Sequence, residues 1–254
     1  NKKIRQIGFQ EMEVQNMVKP ICKYSTLVKK IEDLNYELEK CIDIAFSGRK
    51  GPTLIEIPDD ISRMNMPKKL KHFKSKIKND LNKVNYSKIK ELLKKSERPL
   101  IVVGNGCLLS DSIKDSKRFI KNNKIPYTAS WAVLHHFSSS DPLNVGSFGV
   151  AATRHGNFVV QKADLIIFLG TRLSTQMIGG NITTFASNAK KVIVDIDKEE
   201  FSSQRLPKVE LKINCDVKKF LKGLNKIKFI KKTNDIKIWV DEITILKKNY
   251  PILS

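Results

Sequence analysis

Sulfur, aromatic rings and long apolar runs are all scarce in this sequence, and each shortage removes a class of protein. Four cysteines among 254 residues (Cys22, Cys41, Cys107 and Cys215), with no Cys-x-x-Cys pair, argue against a disulfide framework and a zinc site. No metal site is expected in the chain, and a reduced, cytoplasmic setting fits best. The four histidines form no ligand set: His135 and His136 are neighbours whose rings should face apart on a regular element, and His155 has no carboxylate near it in sequence. The longest apolar runs, such as residues 165–169, reach strand length only, far below the roughly 20 residues of a membrane span. No membrane partner is expected, and no secretory leader pattern opens the chain. The first residue is Asn rather than Met, so a piece of a longer protein is expected.

What the sequence has in excess is lysine. Lys outnumbers Arg 39 to 8, and the formal net charge is +21. A total of this size invites a nucleic-acid reading. Its distribution argues otherwise. Residues 68–95 carry net +9 and residues 218–248 net +7, whereas 1–67 carry +1 and 96–217 carry +4. The two basic stretches contain no Arg and few rings on which bases could stack. A solvated, compositionally biased surface is expected, with no nucleic-acid partner.

With 41% hydrophobic residues the chain has enough apolar content for a real core. Ile31, Leu34, Leu38, Cys41, Ile42 and Ala45 recur at helical spacing before Gly48, and Thr53–Ile57 reads as a buried strand ended by Pro58. One helix and one strand are the tail of an α/β layer, too little to close a sheet. The Lys-rich stretch 63–85 reads as a linker. Beyond it helices and strands alternate: helix 86–96, strand 99–103, helix 112–122, strand 125–128, helix 151–161, strands 164–169, 191–195 and 209–213, helix 216–224. That alternation predicts an α/β fold, a Rossmann-like parallel sheet with helices on both faces over 86–228, preceded by the C-terminal part of another α/β domain at 1–62.

In such folds ligands sit beyond the carboxyl ends of the strands. Those ends carry Gly104-Asn-Gly106, Thr128, Gly170-Thr-Arg172, Asp195 and Asp197, and Asp216-Val217 follow the last strand. Glycines would let a phosphate approach the backbone, Arg172 would neutralise it, and an acid ending a strand would accept ribose hydroxyls. The same glycines would equally serve tight strand-to-helix turns, since Gly104-Asn-Gly106 lacks the third glycine of the dinucleotide fingerprint. A stand-alone module binding ADP or FAD without catalysis is the alternative reading.

Several segments together resemble thiamine-diphosphate-dependent enzymes of the acetolactate synthase type. They are Gly8-Phe-Gln-Glu11, Lys19-Pro-Ile-Cys-Lys23, residues 47–60 from Ser47-Gly-Arg49 to Pro58-Asp-Asp60, Arg98-Pro99 through Gly106, residues 163–172, Val192–Asp197 and Trp239–Pro251. Their order agrees with the family throughout. The resemblance implies an enzyme of three α/β domains that decarboxylates a small 2-oxo acid, then either joins the remainder to a second carbonyl or releases it. Such an enzyme acts as a homodimer or homotetramer and uses thiamine diphosphate with Mg²⁺. A cofactor-activating glutamate belongs to the family's first domain and a Gly-Asp-Gly motif to its third; this sequence has no Gly-Asp dipeptide. The chain is therefore expected to hold the end of the pyrimidine domain, the whole central domain and, at 229–254, the connection onward, and to be inactive alone. Phe9 and Gln10 resemble residues lining the active-site mouth, and Lys23 a substrate-channel lysine. The resemblance also implies FAD, or ADP, on the central domain at Gly104, Gly106, Thr128, Gly170, Arg172, Asp195, Asp216 and Val217. Where the synthases carry an Asp-Asp-Arg trio, however, this chain has Ser174, Thr175 and Gln176, which argues against FAD.

Overall fold

The computed structural model describes residues 12–75, 84–202, 206–227 and 233–251. The chain divides into two compact units, Asn1–Asn79 and Asp80–Ser254. Among the described residues no helix is long and apolar enough to cross a membrane.

In the first unit α1 (Val14–Val18) precedes β1 (Tyr24–Leu27), α2 (Leu34–Phe46), β2 (Thr53–Glu56) and α3 (Asp59–Ser62). The two strands pair in parallel, Tyr24 opposite Thr53 and Leu27 opposite Glu56, and α2 is the crossover between them. Gly48, at φ +50°, follows the end of that helix. Two strands cover one side of a helix only. Cys41 is buried, but Leu38, Ile42 and Phe46, successive turns of one face, stand 44, 53 and 68% exposed. The described start of the Lys-rich segment lies back along α2: Lys71 Nζ meets Asp33 Oδ1 at 2.7 Å and the Phe73 N–H donates to Glu39 Oε2 at 2.7 Å. Phe73 also stands edge-on to Tyr36 with centroids 5.5 Å apart. The hydrogen bond from His72, then that from Phe73, holds Glu39 below the usual carboxylate range.

The second unit is built on β3 (Pro99–Val103), β4 (Tyr127–Ala129), β5 (Leu165–Leu169), β6 (Lys190–Asp195) and β7 (Leu211–Asn214). All pair in parallel, in the order β4-β3-β5-β6-β7. The helices are α4 (Tyr86–Lys95), α5 (Asn105–Leu109), α6 (Ile113–Asn123), α7 (Arg154–Lys162), α8 (Thr175–Ile178), α9 (Val217–Leu224) and α10 (Thr233–Asn249). This is the α/β architecture that the alternation predicts. One apolar layer packs Ile89, Phe119, Phe220 and Leu221 from α4, α6 and α9 on the sheet; the other packs Val159, Val160, Trp239 and Ile243 from α7 and α10. Buried between these layers, β3 and β5 consist of wholly buried residues.

Two anchors of this unit join residues far apart in sequence. Asp164, just before β5, accepts from Ser96 Oγ at 2.5 Å and from the N–H groups of Glu97 at 2.7 Å and Arg98 at 3.0 Å, fixing the entry into β3. Trp239 is 1% exposed and its indole N–H donates to Pro99 O at 3.1 Å. The stretch expected only as a connection thus contributes a helix to the core: Ile236, Trp239 and Ile243 lie at i, i+3 and i+7 and all are buried.

Candidate functional site

Because all five strands of the second unit run the same way, their carboxyl ends form one edge. The sheet order reverses there between β3 and β5, the position at which doubly wound folds open a ligand crevice. Gly104 and Gly106 follow β3, Gly170 and Arg172 follow β5, Asp195 ends β6, and Asp216 and Val217 lie just past β7. The structure therefore brings the sequence-selected residues of this unit to one edge, except Thr128, which is fully buried in mid-strand and donates from Oγ1 to Gly146 O at 2.6 Å.

What the residues do there differs from a phosphate cradle. A Cβ on Gly104 would stand 2.2 Å from Gly170 O and 2.3 Å from Thr171 Oγ1; one on Gly106 would stand 2.6 Å from Gly170 Cα. The Gly104 N–H donates to Leu169 O at 2.9 Å and the Gly106 N–H to Gly170 O at 2.9 Å. Gly170 itself adopts φ +56°. The three glycines let two loops touch backbone to backbone across the switch point, and the Gly104 and Gly106 amides are committed to protein carbonyls. Those two amides therefore do not serve as donors to a dinucleotide's phosphates at this turn.

The acids are similarly engaged. Asp195 Oδ1 accepts from the Asp197 N–H at 2.9 Å, and Asp216 caps α9 by accepting from the Lys219 N–H at 3.0 Å. Val217 is buried in the core. Arg172 keeps its side chain 75% exposed, with Nε 3.7 Å from Glu200 Oε1. Cys107, in the turn itself, is no nucleophile: it is fully buried, and burial pushes its thiol up to about 12.

In the first unit, Lys23 reaches the end of α2. Its ammonium donates to Ile44 O, to Ser47 O at 2.6 Å and to Ser47 Oγ at 3.2 Å. A cation on the last carbonyls complements the helix dipole. Phe9 and Gln10 lie outside the described residues. Among the described residues no group of three His, Cys, Asp or Glu side chains could hold a metal ion.

His135 and His136 depart from the expectation that their rings face apart. They end the 3₁₀ segment Trp131–His136, where the backbone becomes extended at Phe137, and their ring centroids lie 4.0 Å apart. His136 Nε2 is buried without a hydrogen-bond partner among the described residues. Burial, then His135 and Lys117, holds this imidazole below its ordinary value.

Comparison with known proteins agrees with this architecture. Residues 86–224 match the family described as thiamine pyrophosphate enzyme, central domain. The chain is 32% identical to acetolactate synthase 2, chloroplastic, of Nicotiana tabacum over 98% of its own length and 38% of that protein's. It is 33% identical to acetolactate synthase 1, chloroplastic, of Zea mays over 98% of its length and 40% of that protein's. The Arabidopsis thaliana acetolactate synthase is 29% identical over the same share of the chain. The chain thus spans about two fifths of the length of the curated relatives it matches.

Proposed function

The chain belongs to the thiamine pyrophosphate enzyme family, and on that premise we propose that it is the middle portion of an acetolactate synthase-like enzyme acting on a 2-oxo acid. The observation that carries this reading is the reach of the likeness. It covers 98% of the chain, beyond both edges of the matched central domain, as one alignment would if the flanking residues belong to the same kind of protein. Thiamine diphosphate, when bound, would supply the nucleophilic and electron-accepting chemistry that decarboxylation of a 2-oxo acid needs. No described residue is assigned to that step, and none is assigned to Mg²⁺; both groups belong to other parts of the intact protein in this reading.

This chain's own residues have a supporting part. The second unit is a scaffold whose carboxyl edge is closed by the Gly104–Gly106 and Gly170 contact. That contact also weighs against the alternative of a stand-alone nucleotide-binding module. In the first unit Lys23 holds the end of α2, and the uncovered stripe Leu38, Ile42 and Phe46 is where the remainder of that domain would pack. The intact protein would act as a homodimer or homotetramer in the cytoplasm.

The test is to express the intact coding sequence and incubate it with pyruvate as the probe 2-oxo acid. Consumption of pyruvate that requires added thiamine diphosphate and Mg²⁺ is expected, with none from the 254-residue chain alone. An intact protein that neither binds thiamine diphosphate nor consumes any 2-oxo acid overturns the reading.

A further inference from the structure

A cavity of about 390 Å³ opens on the outer side of the second unit, between α6 and the loop that follows the 3₁₀ segment. Tyr127, on its wall, is the first residue of β4, so the cavity lies toward the opposite end of the strand from the carboxyl edge. Its floor is apolar: Ile120, Tyr127 and Phe137 are buried, and the Tyr127 and Phe137 rings stand 5.0 Å apart.

The polar groups of the loop are occupied within the protein. The Tyr127 hydroxyl donates to Asp141 Oδ2 at 2.9 Å, and Asp141 Oδ1 accepts from the Leu143 N–H at 3.0 Å, so both carboxylate oxygens have partners. Ser138 Oγ is paired with Ser140 Oγ at 2.7 Å. What remains is cationic. Lys117 and Lys121 lie one helical turn apart on α6 and both line the cavity. Lys117 Nζ stands 5.2 Å above the Phe137 ring, and neither lysine has an ion-pair partner among the described residues. One fixed carboxylate against two ammoniums leaves the site with an excess positive charge beside an apolar floor.

That combination selects an anion with an apolar body, and the volume lies near the lower end of the roughly 300–1,000 Å³ typical of small-molecule sites. We propose that this cavity binds a small carboxylate carrying an aromatic or branched aliphatic group. The carboxylate sits between Lys117 and Lys121, and the apolar group rests on Tyr127 and Phe137. The two ammoniums supply charge-assisted hydrogen bonds, stronger than neutral ones, and the rings supply area removed from water.

The experiment is calorimetric titration of the 254-residue chain with 3-phenylpropionate, its primary amide and inorganic phosphate, in about 50 mM salt to limit screening. The carboxylate is expected to bind at least about tenfold more tightly than the amide, which lacks the charge, or the phosphate, which lacks the apolar body. The Lys117→Gln/Lys121→Gln variant is expected to lose about tenfold in affinity for the carboxylate; both side chains are exposed, so its thermal unfolding should match the parent. Equal binding of the amide or of phosphate overturns the proposal. So does an unchanged affinity in the double variant, or no carboxylate binding up to about 10 mM, beyond the mM range in which weak sites are still detected.

Discussion

Replacing Gly104 by alanine isolates the contact that closes the carboxyl edge. Gly104 has φ −105° and ψ 178°, extended backbone open to any residue, so the substitution brings no torsional strain. It brings a methyl carbon to 2.2 Å from Gly170 O, a backbone atom that cannot swing aside as a flexible side chain would. Overpacking of this kind costs about 1–3 kcal/mol. Separating the loops also weakens the bonds from Gly104 N–H to Leu169 O and from Gly106 N–H to Gly170 O, each 2.9 Å long, which are worth about 1 kcal/mol apiece. A loss of about 3 kcal/mol is expected in the unfolding of the second unit, with no nucleotide present.

Two other glycines serve as controls. Among the described residues a Cβ on Gly180 meets nothing within 4 Å, and Gly180 has no positive φ, so Gly180→Ala should change stability by less than about 1 kcal/mol. Gly179 is equally open but sits at φ +81°, so Gly179→Ala reports backbone strain alone, about 1–3 kcal/mol. Urea unfolding followed by the fluorescence of buried Trp239 reads all three from midpoint shifts at constant slope. If Gly104→Ala unfolds within about 0.5 kcal/mol of Gly180→Ala, below the scale of any overpacking cost, the steric account fails and the phosphate-approach reading of these glycines returns.

Trp239→Ala should cost about 3–5 kcal/mol, the range for deleting a large buried aromatic; a loss under about 0.5 kcal/mol, typical of a surface site, would mean that α10 is not part of the core. His136 should titrate below the ordinary imidazole value of about 6.5. The unfolded chain then takes up that proton more readily, so stability falls as pH drops from about 6.5 toward the folded-state value. Proton NMR of the imidazole and acid-side urea unfolding of His136→Gln, which should flatten that loss, check both; an ordinary titration curve refutes the burial argument.

Much of the second unit was legible because parallel strands buried on both faces read as continuous runs. Pro99-Leu-Ile-Val-Val103 and Leu165-Ile-Ile-Phe-Leu169 leave little else to propose, and each is followed by the glycine that ends it. The helix α10 was less legible: its three buried positions carry the right spacing, but Lys237, Asp241 and Glu242 between them, and Lys-rich residues before it, dilute the signal. The strand β1 is only four residues long and its sequence does not alternate cleanly. At the candidate site the sequence placed the residues on the correct edge but not their partners. Whether an amide near Gly104 faces a ligand or a carbonyl depends on Gly170, 66 positions away, and no local pattern encodes that. The anchoring by Asp164 was hidden for the same reason, since its acceptors serve donors at Ser96, Glu97 and Arg98.

The interlock of Gly104, Gly106 and Gly170 has a bearing on how such chains diverge. No one of the three can acquire a side chain until the opposing loop has moved, and the opposing loop is pinned by strands in the middle of the sheet. Each position is thus held in place by the others, whatever the edge binds. A lineage that abandoned a nucleotide would keep this triplet while its solvent-facing neighbours drifted freely. Persistence of the glycines in a descendant therefore records a steric lock, and the ligand's history has to be sought in the variable residues around it.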